Sequence, residues 1–251
     1  MLRKILVICF LINLLFSCKM GSKKIDQVAE TKSDLSNSSL NAASNVSESK
    51  TQKPNTWQEE VNLIEAKLLE AEAREDHNQK GINFMKLANI HHEKSGDLRT
   101  AIFNAQRSVS SFAMAKDTSQ IANMLKYQAS LLASNGQYDL AIGAADEAIR
   151  YYKEVDFDRG IAAMYLNKAQ TYLAEKDYSK SEEFYEQAIK ILKEKPNENT
   201  IFLYQLHGLK LYKESENNRK FQKLVKICEA SIASGKIRPN LLNQFESIKN
   251  K

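Results

Sequence analysis

From residue 56 to the end of the chain, apolar residues recur at helical spacing. Thr56 followed by Glu59 three residues later forms a capping box. Val61, Ile64, Leu68 and Ala71 then fall on one face of a helix predicted to run to about His77. Three turn-like tetrads, Ser95–Leu98, Asn135–Tyr138 and Glu175–Tyr178, follow at intervals of 40 residues. Each is followed at the same offset by a small residue (Ala101, Ala141, Ser181), with another seven residues further on (Ser108, Ala148, Ala188). Small side chains at a fixed offset mark close approach of two helices, and Gly96 and Gly136 suit left-handed helix ends. The pattern predicts helix pairs over about 80–116, 119–155, 159–195 and 199–234. The fourth pair lacks the turn glycine but carries Ile201, Tyr204, Leu206, Leu211 and Tyr212, then Phe221, Leu224, Val225, Cys228 and Ile232. Arg238-Pro239 opens a short last helix through Leu242, Phe245 and Ile248.

The first 55 residues follow a different pattern. After Arg3 and Lys4 comes a mostly apolar run of twelve residues, Ile5–Phe16. That suits the apolar stretch of an export signal and is too short to cross a bilayer as a helix. Residues 19–55 are rich in Ser, Asn, Lys and Thr with no apolar period. Such a segment buries too little surface to order itself, and it is expected to act as a flexible tether with a root-mean-square reach of about 35 Å.

Composition supports a helical reading, since glycine (8) and proline (3) are scarce in 251 residues. The net charge of +5 is unevenly spread: residues 56–204 hold 18 basic and 23 acidic side chains, residues 205–251 hold 10 and 4. The folded part is thus nearly neutral, which argues against a nucleic-acid partner; its basic end is either a solvated face or a surface for an acidic partner or anionic head groups. Of three cysteines only Cys228 lies in the repeat region, so no internal disulfide is predicted there, and its offset marks a buried structural thiol. His91 and His92 are adjacent and point to different sides of a helix, while His77 and His207 are isolated. With no metal-ligand spacing, Gly-rich phosphate loop or nucleophile elbow, the sequence predicts no metal, no cofactor and no catalytic residue.

Two resemblances sharpen this picture. Leu15-Phe16-Ser17-Cys18 resembles the bacterial lipobox, with Phe16 departing from the usual small residue. The resemblance implies cleavage after Ser17 and diacylglyceryl transfer to the Cys18 thiol. Residues 1–17 are then a lipoprotein signal peptide, 18–55 the lipidated cysteine and its tether, and 56–251 the repeat domain. Acyl chains on Cys18 hold a protein on a bilayer, each buried methylene contributing about 0.8 kcal/mol. Lys19 rather than Asp after the cysteine favours the outer membrane.

The third unit runs Tyr165, Ala169, Tyr172, Asp177-Tyr178, Ser181, Tyr185, Ala188, and the second runs Ala129, Leu132, Gly136, Tyr138, Ala141, Ala145, Ala148. Both resemble the tetratricopeptide repeat (TPR), although that family's usual period is about 34 residues. The resemblance implies an all-α, right-handed TPR-like superhelix of antiparallel helix pairs with a period of about 40 residues, the additional residues lengthening the helices. It also implies a groove lined by the first helix of each pair. On this register the groove residues are Asn83, Lys86 and Ile90, then Asn123, Lys126 and Ser130, then Ala163, Leu166, Gln170 and Leu173. Such a face suits an extended or helical peptide. A clamp for a C-terminal carboxylate is not matched, because Ile90 and Tyr127 stand where amides are needed.

Together these features predict a non-enzymatic lipoprotein of the bacterial cell envelope, anchored through Cys18, that binds a protein or peptide partner through its groove. Alternatives are an assembly factor for outer-membrane proteins or cell-envelope maintenance, and an enzyme acting on the cell wall, which only the expected location supports.

Overall fold

A computed structural model describes residues 56–194 and 197–250; the signal segment 1–17, Cys18 and the tether 19–55 lie outside the described residues. The described helices are α1 (Thr56–Ala73), α2 (His77–Ile90), α3 (Leu98–Met114), α4 (Thr118–Ser134) and α5 (Tyr138–Glu154). They continue as α6 (Asp158–Ala174), α7 (Tyr178–Glu194), α8 (Glu198–Glu214), α9 (Asn218–Ala233) and α10 (Pro239–Lys249). α2/α3, α4/α5, α6/α7 and α8/α9 are antiparallel pairs, each packed on the next.

The 40-residue interval has a simple origin. Helices α3 to α8 are each 17 residues long, and three-residue connections separate them. The additional residues relative to a common TPR therefore lie in the helices. A left-handed residue ends the helices at twenty-residue steps: Gly96, Lys116, Gly136, Asp156 and Lys176, then Glu216. The connections close in one way. At α3 the Lys116 N–H donates to the Ala113 carbonyl and the Asp117 N–H to the Phe112 carbonyl; Gly136 and Gln137, Lys176 and Asp177, and Glu216 and Asn217 repeat the arrangement. Six of the connections then supply an N-cap acceptor to the next helix, from Asp76, Asp97, Asp117, Asp177, Asn197 and Asn217.

The first helix ends at Ala73, four residues before the predicted His77, because Glu75 takes a left-handed conformation and Asp76 caps α2. A further difference lies after α2. His91–Ser95 winds as a single π-helical segment before Gly96. This wider turn splays its side chains to two neighbours: the His91 ring meets Trp57 of α1 at 6.2 Å, and His92 meets Tyr127 of α4 at 5.9 Å. Lys94 in the same segment pairs with Glu60 of α1.

The recurring small residues sit where helices meet. Ala101, Ala141 and Ser181 are buried, as are Ser108, Ala148 and Ala188. The Ser108 hydroxyl donates to the Gly81 carbonyl at 2.7 Å, and Ser181 to the Ala169 carbonyl at 2.8 Å. At Gly81 a Cβ would lie 2.7 Å from the Phe112 ring, so only glycine lets α2 pass that close to α3. The large side chains fill the layers between. Phe112, Met124, Leu131 and Tyr152 lie in one cluster, and Phe202, Leu209, Phe221 and Phe245 lie in a second. Both ends of the stack are covered. Val61 and Ile64 of α1 pack on Phe84, Leu87 and Ile90, while Leu241 and Phe245 of α10 join the core beneath α8. A repeat array needs such terminal helices, because each unit otherwise exposes one apolar face.

Candidate partner-binding face

The first helices of the pairs, α2, α4, α6 and α8, adjoin one another: α4 touches α6 directly, and α6 touches α8. Polar side chains tie them together along this face. The Tyr127 hydroxyl of α4 donates to the Ala88 carbonyl of α2 at 3.5 Å and lies 3.2 Å from His92 Nδ1. The Asn167 amide of α6 donates to the Ser130 hydroxyl of α4 at 3.2 Å. The Gln170 amide of α6 donates to His207 Nδ1 of α8 at 2.8 Å. Lys213 of α8 finally donates to the Ile248 carbonyl of α10 at 2.7 Å. Each rung joins residues 35 to 39 apart in sequence, so the ladder follows the repeat itself.

The structure separates the expected groove residues into three groups. Lys86, Asn123, Ser130 and Gln170 are exposed. Lys126, Ala163 and Leu173 are half-buried at the rim. Asn83, Ile90 and Leu166 are buried and not open to a partner, which corrects the register reading at those positions. The causes differ. Ile90 is apolar and is drawn into the cluster that α1 builds with Phe84 and Leu87. Leu166 packs with Ala169 and Tyr185, forming the floor of a small slot that Gln170, Leu173 and His207 also line. Asn83 shares its repeat offset with Asn123, but the neighbours differ. The Tyr152 hydroxyl reaches Asn123 Oδ1 at 2.9 Å, whereas Phe112, at the matching position, has no hydroxyl to engage Asn83 at the rim. Both amide atoms of Asn83 are buried without a partner.

Two features of this face were not found by the sequence reading. The first is His207, half-buried beside Gln170. Burial, and secondarily the charge of Lys210, pushes its pKa down to about 4, so the ring is neutral and accepts the Gln170 hydrogen bond. The 37-residue step from Gln170 to His207 marks the pair, but an isolated histidine gave no signal without the helix register. The second is charge. α2 and α4 contain no carboxylate, and in α6 and α8 carboxylates occur only at the terminal residues Asp158, Glu198 and Glu214. Lys86, Lys126 and Lys210 face no carboxylate within ion-pair distance among the described residues. Lys168 is different. It is buried, pairs with Asp146 of α5 at 2.7 Å and covers the Phe184 ring at 4.1 Å, so it belongs to the frame. Among the second helices, α5 carries Asp139, Asp146, Glu147 and Glu154 and α7 carries Glu182, Glu183, Glu186 and Glu194, whereas α3 carries none.

Cys228 is fully buried, its thiol pushed up to about 12 by burial and donating to Gln205 Oε1 at 3.7 Å. It is protonated and enclosed, as a structural thiol is. Among the described residues no three His, Cys, Asp or Glu side chains converge as metal ligands would, and no helix is long and apolar enough to cross a membrane.

Comparison with known proteins agrees with this geometry. A tetratricopeptide repeat family model matches residues 120–194, which spans α4 to α7. BtubC (BKLC) from P. vanneervenii superposes with a TM-score of 0.64 at 15% identity, covering 73% of this chain and 76% of that one. The TPR-like repeats of a kinesin light chain from Podosopora anserina superpose at 0.61 and 17% identity, over 72% and 88% of the two chains. A Rap protein solved in complex with Competence and Sporulation Factor superposes at 0.61 and 14% identity, over 76% of this chain and 53% of that one. No curated protein matches the sequence. At these identities the likeness is one of fold, and the described part of the chain is a TPR-like superhelix of stacked helix pairs.

Proposed function

We propose that this protein is a lipid-anchored scaffold of the bacterial cell envelope that holds a polypeptide partner along its first-helix face. A repeat array of this kind serves protein–protein interaction. Cys18 is the lipid-bearing residue in this reading, residues 19–55 are the tether, and the outer membrane is the bilayer. The supporting observation is the chemistry of the face. Exposed amides and a hydroxyl (Asn123, Gln170, Ser130) alternate with the cations Lys86, Lys126 and Lys210, and no carboxylate lies between the helix ends. Amides bond the main chain of an extended or helical peptide, while the unopposed lysines favour a partner with acidic side chains. The Rap protein's complex with Competence and Sporulation Factor is a precedent for partner binding on this fold.

The test is photo-crosslinking in intact cells from a reactive residue placed at Asn123. One discrete polypeptide adduct is expected, lost in the double variant Lys86→Glu, Lys126→Glu. An adduct of unchanged yield in that variant overturns the groove assignment. Cys18→Ser is expected to abolish labelling by an alkyne fatty acid and to release the chain from the membrane fraction; persistent membrane association would remove the anchor.

A further inference from the structure

The first pair carries a second feature away from the face described above. Between α2 and α3 lies an open recess of about 370 Å³, lined by Lys80 and Phe84 from α2 and by Phe103, Gln106, Arg107 and Met114, among others, from α3. Three observations give it a character. It is apolar where most of the surface is polar: Phe103 is 58% exposed and Met114 65% exposed, beside the buried ring of Phe84. It is cationic, because its lining carries Lys80 and Arg107 and no carboxylate. And its cation is held in place. The Arg107 guanidinium lies over the Phe84 ring at 4.1 Å and over Phe103 at 5.6 Å. The nearby acid, Glu72 of α1, is bonded to Lys80 at 2.7 Å. Arg107 itself has no carboxylate partner among the described residues.

An arginine stacked on rings and left without a carboxylate presents its N–H fork outward, ready for a bidentate partner. We propose that this recess is a docking site, separate from the first-helix face, for an acidic segment of a partner protein that seats a bulky apolar side chain among Phe84, Phe103 and Met114 and sets a carboxylate on Arg107. Charge complementarity selects this occupant over the chain's own preceding segment, since residues 18–55 carry six lysines against four acids and share the sign of the recess.

The probe is a fluorescently labelled synthetic peptide with glutamates on one helical face and leucines on the other, titrated into the full chain by anisotropy. Saturable binding that weakens as salt rises is expected. In a chain already carrying Lys86→Glu and Lys126→Glu, which disables the first-helix face, saturable binding should persist, and adding Arg107→Glu or Phe103→Ser should each weaken it at least tenfold, which separates the two sites. Phe103 is an exposed side chain, so its variant keeps the readout should Arg107→Glu melt early. Absence of saturable binding, equal binding of the matching lysine–leucine peptide, or full binding by the folded variants would overturn the proposal. So would self-association of the chain that Arg107→Glu abolishes, since the occupant would then be a second copy.

Discussion

His207 shows how burial turns a common side chain into a conditional one. Its pKa falls from 6.5 to about 4 on folding because the half-buried ring loses solvation and Lys210 stands near. Between those two values the unfolded chain binds more protons than the folded one. Stability therefore drops as the pH falls from about 6.5 towards 4, by about 2–3 kcal/mol from this residue. Acid melts of the wild type and His207→Gln separate it from the carboxylates: the variant should lose less stability across that window, and parallel curves would disprove the assignment. Gly81 makes a second test. An alanine there would push into Phe112, which has no exposed surface and no room to retreat. Gly81→Ala should cost about 1–3 kcal/mol, read as a lowered denaturation midpoint.

At the scale of elements, the turns hold the most information. Lys116 and Lys176 adopt φ of 58° and 63°, a region that costs an L-residue about 1 kcal/mol and costs glycine little. Lys116→Gly and Lys176→Gly should each raise stability by up to about 1 kcal/mol in chemical denaturation. Asp117→Ala should lower it by about 1 kcal/mol through loss of the Gln120 N–H cap. These positions also explain what could be read in advance. The tetrads at Gly96 and Gly136 were legible because glycine announces a left-handed helix end, and the tetrad at 175–178 followed from the interval. The turns at Lys116 and Asp156 carry no glycine and fell between the predicted pairs only through the interval, while the turn at Glu75 was silent, because ordinary residues are forced there by the packing of the helices on either side. The first helix was accordingly read too long. The π-helical segment at His91–Ser95 left no local mark either, since its winding depends on Trp57 and Tyr127 from neighbouring helices. The same limit applied to the face. The 40-residue offset located Lys86, Asn123, Ser130 and Gln170 on open surface, but exposure also depends on what lies opposite, and that separated Asn83 from Asn123.

Across the whole stack, the terminal helices decide whether the array survives. Phe245 is buried and lies 6.1 Å from Phe202, joining α10 to α8. Phe245→Ala should remove about 3–5 kcal/mol and expose the apolar end of α8, seen as early melting with increased binding of a hydrophobic dye. The middle of the array has a different property. Because every helix from α3 to α8 has the same length and every connection the same number of residues, one pair is nearly interchangeable with the next. Copying residues 118–157 and inserting them in frame before Asp158 would present α5 to a second α4 just as α3 meets the first. Evolution or an engineer can thus extend this protein by a whole helix pair without redesigning either end, and the reach of its binding surface becomes a matter of gene duplication.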